Sequence, residues 1–242
     1  MNAIEIEGLT KRYKDVTAVD ALTFSVKEGE LLALLGVNGA GKTTTVKMLA
    51  CLTSPSEGDA LVFGHSIRTE SATVKSMMAL SPQETAVAVG LSVKENLELM
   101  CGVYGFSRDK TRQKIEEAVS ALSLSEVLNR RAGKLSGGWQ RRLSIAMALI
   151  GEPRILFLDE PTLGLDVIAR AELWDVIRAL KGKVTVILTT HYMEEAEALS
   201  DRVAIMRGGR LLVLDTAENI KQSCGTNRFE DAFIQIIKEG RK

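Results

Sequence analysis

Five consecutive apolar residues, Leu31-Leu32-Ala33-Leu34-Leu35, run directly into Gly36-Val37-Asn38-Gly39-Ala40-Gly41-Lys42-Thr43, and a helical pattern follows over Thr43–Leu52. A short unbroken apolar run reads as a strand covered on both faces, which places it inside a mainly parallel sheet. The loop fits the pattern GxxxxGK[ST], in the strand-to-helix context that gives the pattern its meaning. Glycines let successive backbone N–H groups wrap a phosphate chain, and the helix behind them offers its positive end. Lys42 is then placed to reach the β and γ phosphates, and the Thr43 hydroxyl to coordinate Mg2+. A strand, loop and helix of this kind constrain the chain to an α/β architecture that handles a nucleoside triphosphate.

A second glycine turn, Leu135-Ser136-Gly137-Gly138-Trp139-Gln140, lies much further along and opens a helical run to Ile150. One phosphate chain does not need two glycine cradles from one polypeptide. Either the chain holds two sites, or each cradle is half of a site completed by another copy. Three further apolar strands end in polar residues. Gln83 follows Met78–Leu80, Asp159-Glu160 follows Ile155–Leu158, and His191 follows Val184–Thr189. Ligands of open parallel sheets sit at the carboxyl ends of the strands. Parallel alignment would therefore gather Lys42, Thr43, Gln83, Asp159, Glu160 and His191 at one edge. Hydrolysis of a phosphoanhydride needs charge neutralisation, a metal and an oriented water. That assigns Asp159 to Mg2+, Glu160 to aligning water as general base, Gln83 to sensing metal and water, and His191 to the γ-phosphate region.

The rest of the chain is read around these points. Ile4–Tyr13 and Leu22–Val26 alternate like half-buried strands, and Asp59–Phe63 reads as another short strand. Residues from about 84 to 150 look mainly helical, with a capping box at Ser92 and Glu95 opening a helix to about Tyr104 and a second helix over about Asp109–Leu122. Asp166 is expected to cap a helix over Val167–Leu180. Arg202–Met206 and Leu211–Asp215 flank Arg207-Gly208-Gly209-Arg210 as a hairpin.

With 31 basic residues against 31 acidic ones, nothing electrostatic points to nucleic acid. Three dispersed cysteines and two histidines argue against structural zinc and fit reduced thiols in a cytoplasmic protein. Met1–Glu7 lacks the pattern of an export signal, and no stretch nears the roughly 18 apolar residues of a membrane span. Service to a membrane would go through a partner.

In this order, the elements resemble the nucleotide-binding subunit of ABC transporters over essentially the whole chain. Gly36–Thr43 matches the Walker A motif, Ile155–Glu160 Walker B, and Leu135-Ser136-Gly137-Gly138 the signature motif that defines the family. Gln83 falls at the Q-loop, Gly164-Leu165-Asp166 at the D-loop and His191 at the switch histidine. Tyr13 lies where the family places an aromatic that stacks on adenine. The resemblance implies a P-loop NTPase core, a mainly parallel sheet plus an N-terminal antiparallel β subdomain, over residues 1–83 and 151–242. An α-helical subdomain would be inserted over 84–150.

It also implies ATP and Mg2+ as cofactors. Gly36, Val37, Asn38, Gly39, Ala40, Gly41, Lys42, Thr43 and Thr44 would hold the nucleotide from one side, with Thr43, Gln83 and Asp159 around the metal. Ser136, Gly137 and Gly138 would hold the nucleotide of a second ATP-binding subunit in a head-to-tail dimer, expected to be a homodimer. The remaining partner would be an integral membrane permease, which keeps the subunit at the inner face of the cell membrane; no nucleic acid is expected.

Some positions depart from the family pattern. Val37 stands where proline is common, and Trp139 where glutamine is common. Both leave the phosphate contacts to backbone, Ser136 and the glycines. Leu163 and Val167 are unusual around the D-loop and bear on coupling between sites. Glu160 is intact, as hydrolysis requires.

Lys11-Arg12-Tyr13, Thr43-Thr44-Thr45, Thr189–Ala196 and Phe229–Phe233 resemble the subunits serving ABC-2-type exporters. Two features carry alternatives. Phe229, Phe233, Ile236 and Ile237 share a helical face that packs on the protein's own core or meets another subunit. The apolar run Ala86–Leu91 either packs within the helical region or docks a cytoplasmic helix of the membrane subunit. A soluble ABC ATPase acting on nucleic acid or ribosomes is the rival reading. It would call for tandem cassettes, long coiled coil or basic extensions, which the sequence lacks.

Overall fold

The computed structural model describes residues 1–240. Strands β1 (Asn2–Tyr13) and β2 (Val16–Lys27) form a long antiparallel pair, and β4 (Glu57–Val62) and β5 (His65–Ser66) extend it in the order β2-β1-β4-β5. The second strand is far longer than Leu22–Val26, because residues 16–21 also pair with β1, as far as Val16 against Tyr13. Helix α1 (Lys42–Leu49) ends earlier than its apolar pattern suggests, since Cys51 takes a left-handed turn at φ 53°.

The second sheet runs β10-β9-β3-β8-β7-β6, with β3 (Leu31–Leu35) and β8 (Thr185–Thr190) at its centre. Strands β6 (Met78–Ser81), β7 (Ile155–Asp159), β8, β3 and β9 (Arg202–Arg207) are mutually parallel; β10 (Arg210–Asp215) closes the edge antiparallel to β9. The unbroken apolar runs follow from this placement. Alternate residues of a strand face opposite sides, so Ile155, Phe157 and Ile187 pack toward α1 and the antiparallel sheet. Leu156, Leu158, Val186 and Leu188 pack toward the helices on the other face.

Helices α2 (Ser71–Ser76), α3 (Val93–Val103), α4 (Arg108–Ala121) and α5 (Gly137–Leu149) follow in chain order. Ser92 caps α3 in a reciprocal box with Glu95, as the sequence pattern anticipates. Leu97, Ile115 and Val119 belong to the same buried cluster as Leu156 and Leu188 of the sheet, so the helical region and the sheet share a core. Asp166 caps α6 (Val167–Arg178) through bonds from the N–H groups of Ile168 and Ala169.

Helices α7 (Met193–Leu199), α8 (Ala217–Ser223) and α9 (Phe229–Glu239) complete the chain. Phe229 and Phe233 of α9 are buried against Leu35, Val203 and Ile205, with Ile236 and Ile237 packed on the same cluster. That face therefore belongs to the protein's own core. The run Ala86–Leu91 divides: Val87 packs against the helical core, while Val89 is 63% exposed.

Candidate functional site

The parallel register sets β3, β8, β7 and β6 side by side with their carboxyl ends at one edge. Leu35 pairs with Thr190, Asp159 with Thr189, and Ser81 with Leu158. A cleft of about 490 Å³ opens at that edge, lined by Asn38–Thr44, Gln83, Glu160, Leu163 and His191. Asp159 lies beneath it, bonded to the Thr43 hydroxyl.

The loop geometry explains its glycines. A Cβ on Gly36 would stand 2.4 Å from the Met206 carbonyl oxygen, so the chain can only pass there without a side chain. Gly41 takes φ 99° and is itself the N-cap of α1, with no side-chain cap and no acidic residue in the first turn. The first amides of α1 are thereby left for an anion rather than satisfied internally.

Charge is arranged in a short chain of contacts. Lys42 is 6% exposed; its Nζ donates to the Gly36 carbonyl at 2.7 Å and lies 3.3 Å from Glu160 Oε1. The other Glu160 oxygen meets His191 Nδ1 at 2.8 Å. A carboxylate only accepts, so that contact puts the proton on Nδ1. Glu160 itself sits at φ 49°, a conformation uncommon for a residue with a side chain. It is held there by bonds from its N–H to the carbonyl and hydroxyl oxygens of Thr189.

The Thr189 hydroxyl in turn donates to Asp159 Oδ1 at 2.5 Å, and the Thr43 hydroxyl lies 3.1 Å from the same oxygen. Two hard oxygen donors at this spacing fit Mg2+, which is usually held by one or two protein groups plus phosphate oxygens and water. No cluster of three or more His, Cys, Asp or Glu that could hold a metal exists among the described residues.

Not every candidate joins the cleft. Tyr13 is exposed at the end of β1, with Lys11 Nζ 5.0 Å from its ring centre, and does not line the cavity. Gly36 and Val37 form the loop's shoulder rather than its lining. Ser136 and Gly137 stand exposed at the start of α5 and do not line the cleft, and the Ser136 side chain caps nothing. Against the back of this turn, a Cβ on Gly138 would come within 3.0 Å of Ala169 Cβ.

Sequence reasoning missed Thr189, whose clue was a pair of hydroxyl residues, Thr189 and Thr190, closing the strand after the apolar run Val186–Leu188. It also missed two buried charged groups behind the site. Glu195 is fully buried, accepts from Trp174 Nε1 at 3.2 Å, and is pushed above the ordinary carboxylate range by burial, with nearby Thr190, Thr162 and Trp174 opposing. Arg141 is 5% exposed; burial pulls its guanidinium below the ordinary value, with Asp159 and Glu195 opposing.

Comparison with known proteins decides what this edge belongs to. The family model described as "ABC transporter" matches residues 19–163. The chain belongs to the ABC transporter family. It is an ATP-binding subunit, an ATPase coupled to transport. The daunorubicin/doxorubicin resistance ATP-binding protein DrrA of Streptomyces peucetius is 42% identical over 93% of this chain and 68% of its own length. The doxorubicin resistance ATP-binding protein DrrA of Mycobacterium tuberculosis is 37% identical over 99% of this chain and 72% of its own. A solved ATP-binding subunit of an ABC transporter superposes with a TM-score of 0.84 at 27% identity, covering 97% of this chain and 99% of that one. No helix among the described residues of this ABC subunit is long and apolar enough to cross a membrane.

Proposed function

We propose that this subunit powers export by closing, as a head-to-tail homodimer, around two ATP molecules that each copy only half encloses. One observation carries the reading. None of Ser136, Gly137 and Gly138 lines the Walker A cleft of its own chain, and the start of α5 at Ser136 has no side-chain cap. A second copy supplies what each half lacks.

In this reading Lys42 turns from Glu160 to the β and γ phosphates, and the amides of Gly39–Thr44 hold the phosphate chain. Thr43 and Asp159 would hold Mg2+, with Gln83 beside them. The ion supplies charge neutralisation on the phosphate oxygens. Glu160, released from Lys42 and steadied by His191, orients the attacking water toward the γ-phosphorus. His191 faces the γ-phosphate, and Ser136, Gly137 and Gly138 of the other copy approach it from the far side. Tyr13 stacks on adenine at the cleft's outer margin.

Residues 84–150 act as the mobile helical unit carrying the turn, against the core formed by 1–83 and 151–242. Permease subunits in the membrane hold the dimer at the inner face of the cell membrane, and Val89 is part of the surface they meet. The relatives named for daunorubicin and doxorubicin resistance support amphipathic drug-like compounds as cargo.

Complementation tests the composite site. A Lys42→Ala chain and a Ser136→Glu chain should each be inactive alone, because every site in either homodimer carries a defect. Mixed, they form a heterodimer with one intact site, and ATPase activity should return. Continued inactivity of the mixture, with both chains folded, would overturn the reading.

A further inference from the structure

On α5, one turn inside the terminus exposed at Ser136 and Gly137, Arg141 points inward. Its two terminal nitrogens donate to successive carbonyl oxygens, Pro82 at 2.6 Å and Gln83 at 2.6 Å. Three residues on, the Ser144 hydroxyl meets the Ser81 hydroxyl at 2.9 Å, both buried. Helix α5 is thus fixed to the end of β6 twice, and only the Arg141 bonds reach past the strand into the loop that carries Gln83. No other side chain among the described residues bonds to the backbone carbonyls of Pro82 or Gln83.

Packing alone does not explain a guanidinium here. A buried cation loses hydration, and replacing such groups by apolar residues of similar volume is often neutral or stabilising. The field of Asp159 offsets part of that loss, so the cation is supported by the catalytic edge itself. What an apolar side chain cannot supply is a rigid two-pronged link of fixed length between a helix and two consecutive carbonyls. Arg supplies it, because its donors lie in one planar fork.

We infer that Arg141 is a positioning residue that sets the Gln83 loop, at the chain's own nucleotide cleft, in fixed register with the Ser136–Gly138 turn offered to the other copy. This rests on the composite-site reading above. Any shift of the Gln83 loop on nucleotide binding is then transmitted along α5 to the opposite site, and a misplaced signature turn disables hydrolysis in trans. Because Arg141 does not line the cleft, capture of nucleotide by one chain is independent of it.

The test compares Arg141→Met, which keeps length and bulk, and Arg141→Lys, which keeps charge but lacks the fork. Each is made in the wild-type chain and in a Glu160→Gln background. Binding of a fluorescent ATP analogue to the dilute chain should stay within about twofold of the parent, while kcat falls about tenfold or more in Arg141→Met. In the Glu160→Gln background, Arg141→Met should need about tenfold more ATP to dimerise, a shift of about 1.4 kcal/mol for each ATP enclosed. Arg141→Lys should recover part of both.

Parental kcat and dimerisation in Arg141→Met would overturn the inference. So would nucleotide affinity and thermal stability falling in step with kcat, which marks a purely structural role. A Glu160→Gln parent that stays monomeric with ATP overturns the composite-site reading, and this inference with it.

Discussion

Glu160 is bound on one oxygen by His191 and approached on the other by Lys42, while its backbone is pinned by Thr189. Each of these partners stands at the carboxyl end of a parallel strand or in the loop leaving one, so their meeting follows from strand order. That is why Lys42, Thr43, Asp159, Glu160 and His191 were legible in the sequence: apolar runs marked the strands, and polar residues marked their ends. Arg141 and Glu195 were not legible, because helical periodicity assigns a charged residue to a face but not to the carbonyl or indole opposite.

Glu195 yields a pH prediction. Its folded-state proton affinity is raised by burial, so the folded chain keeps a proton that the unfolded chain releases above the ordinary carboxylate range. The native state then loses stability as pH rises toward the folded value, since the unfolded state binds fewer protons. Glu195→Gln removes that titration. Urea unfolding at about pH 5 and about pH 8 should show the variant gaining on the parent at the higher pH. A constant difference across that window would show that Glu195 is ionised in the fold.

Individual helices show where sequence pattern decides and where it does not. The Ser92–Glu95 box identified the start of α3 because the cap is local chemistry between neighbours. The face Phe229–Ile237 could not be assigned from its pattern, since an amphipathic helix has the same spacing whether it covers its own sheet or a partner. The tertiary surroundings resolve it: Phe229 and Phe233 fill the face of β3 and β9. Phe229→Ala should therefore destabilise the isolated chain by about 3–5 kcal/mol, measured by denaturant titration. A loss well under 1 kcal/mol would mean that α9 contributes little to the fold.

The Ala86–Leu91 run divides the other way, with Val87 serving the core and Val89 left outside. Val89→Glu should leave basal ATPase and melting temperature near the parental values and abolish transport when the chain is assembled with its permease. Intact transport would remove Val89 from the docking surface.

At the scale of the whole molecule, the antiparallel sheet packs on one face of the parallel sheet and the helical region on the other, and the Ser136–Gly138 turn takes no part in lining the cleft. The sequence showed that there were two cradles, but not their separation. That depends on α5 running from an exposed terminus down to the sheet, a path set by Ser144, Arg141 and the apolar residues between them. With each nucleotide held by two chains, ATP becomes part of the interface, and a variant that binds but cannot hydrolyse it should trap the closed form.

The most direct measurement is the solution mass of Glu160→Gln by analytical ultracentrifugation, with and without ATP and Mg2+. The account predicts a species of the 26.3 kDa chain alone and of twice that mass once nucleotide is added, with Ser136→Glu in the same background abolishing the shift. A Glu160→Gln chain that binds ATP yet sediments as a monomer at every concentration would contradict it.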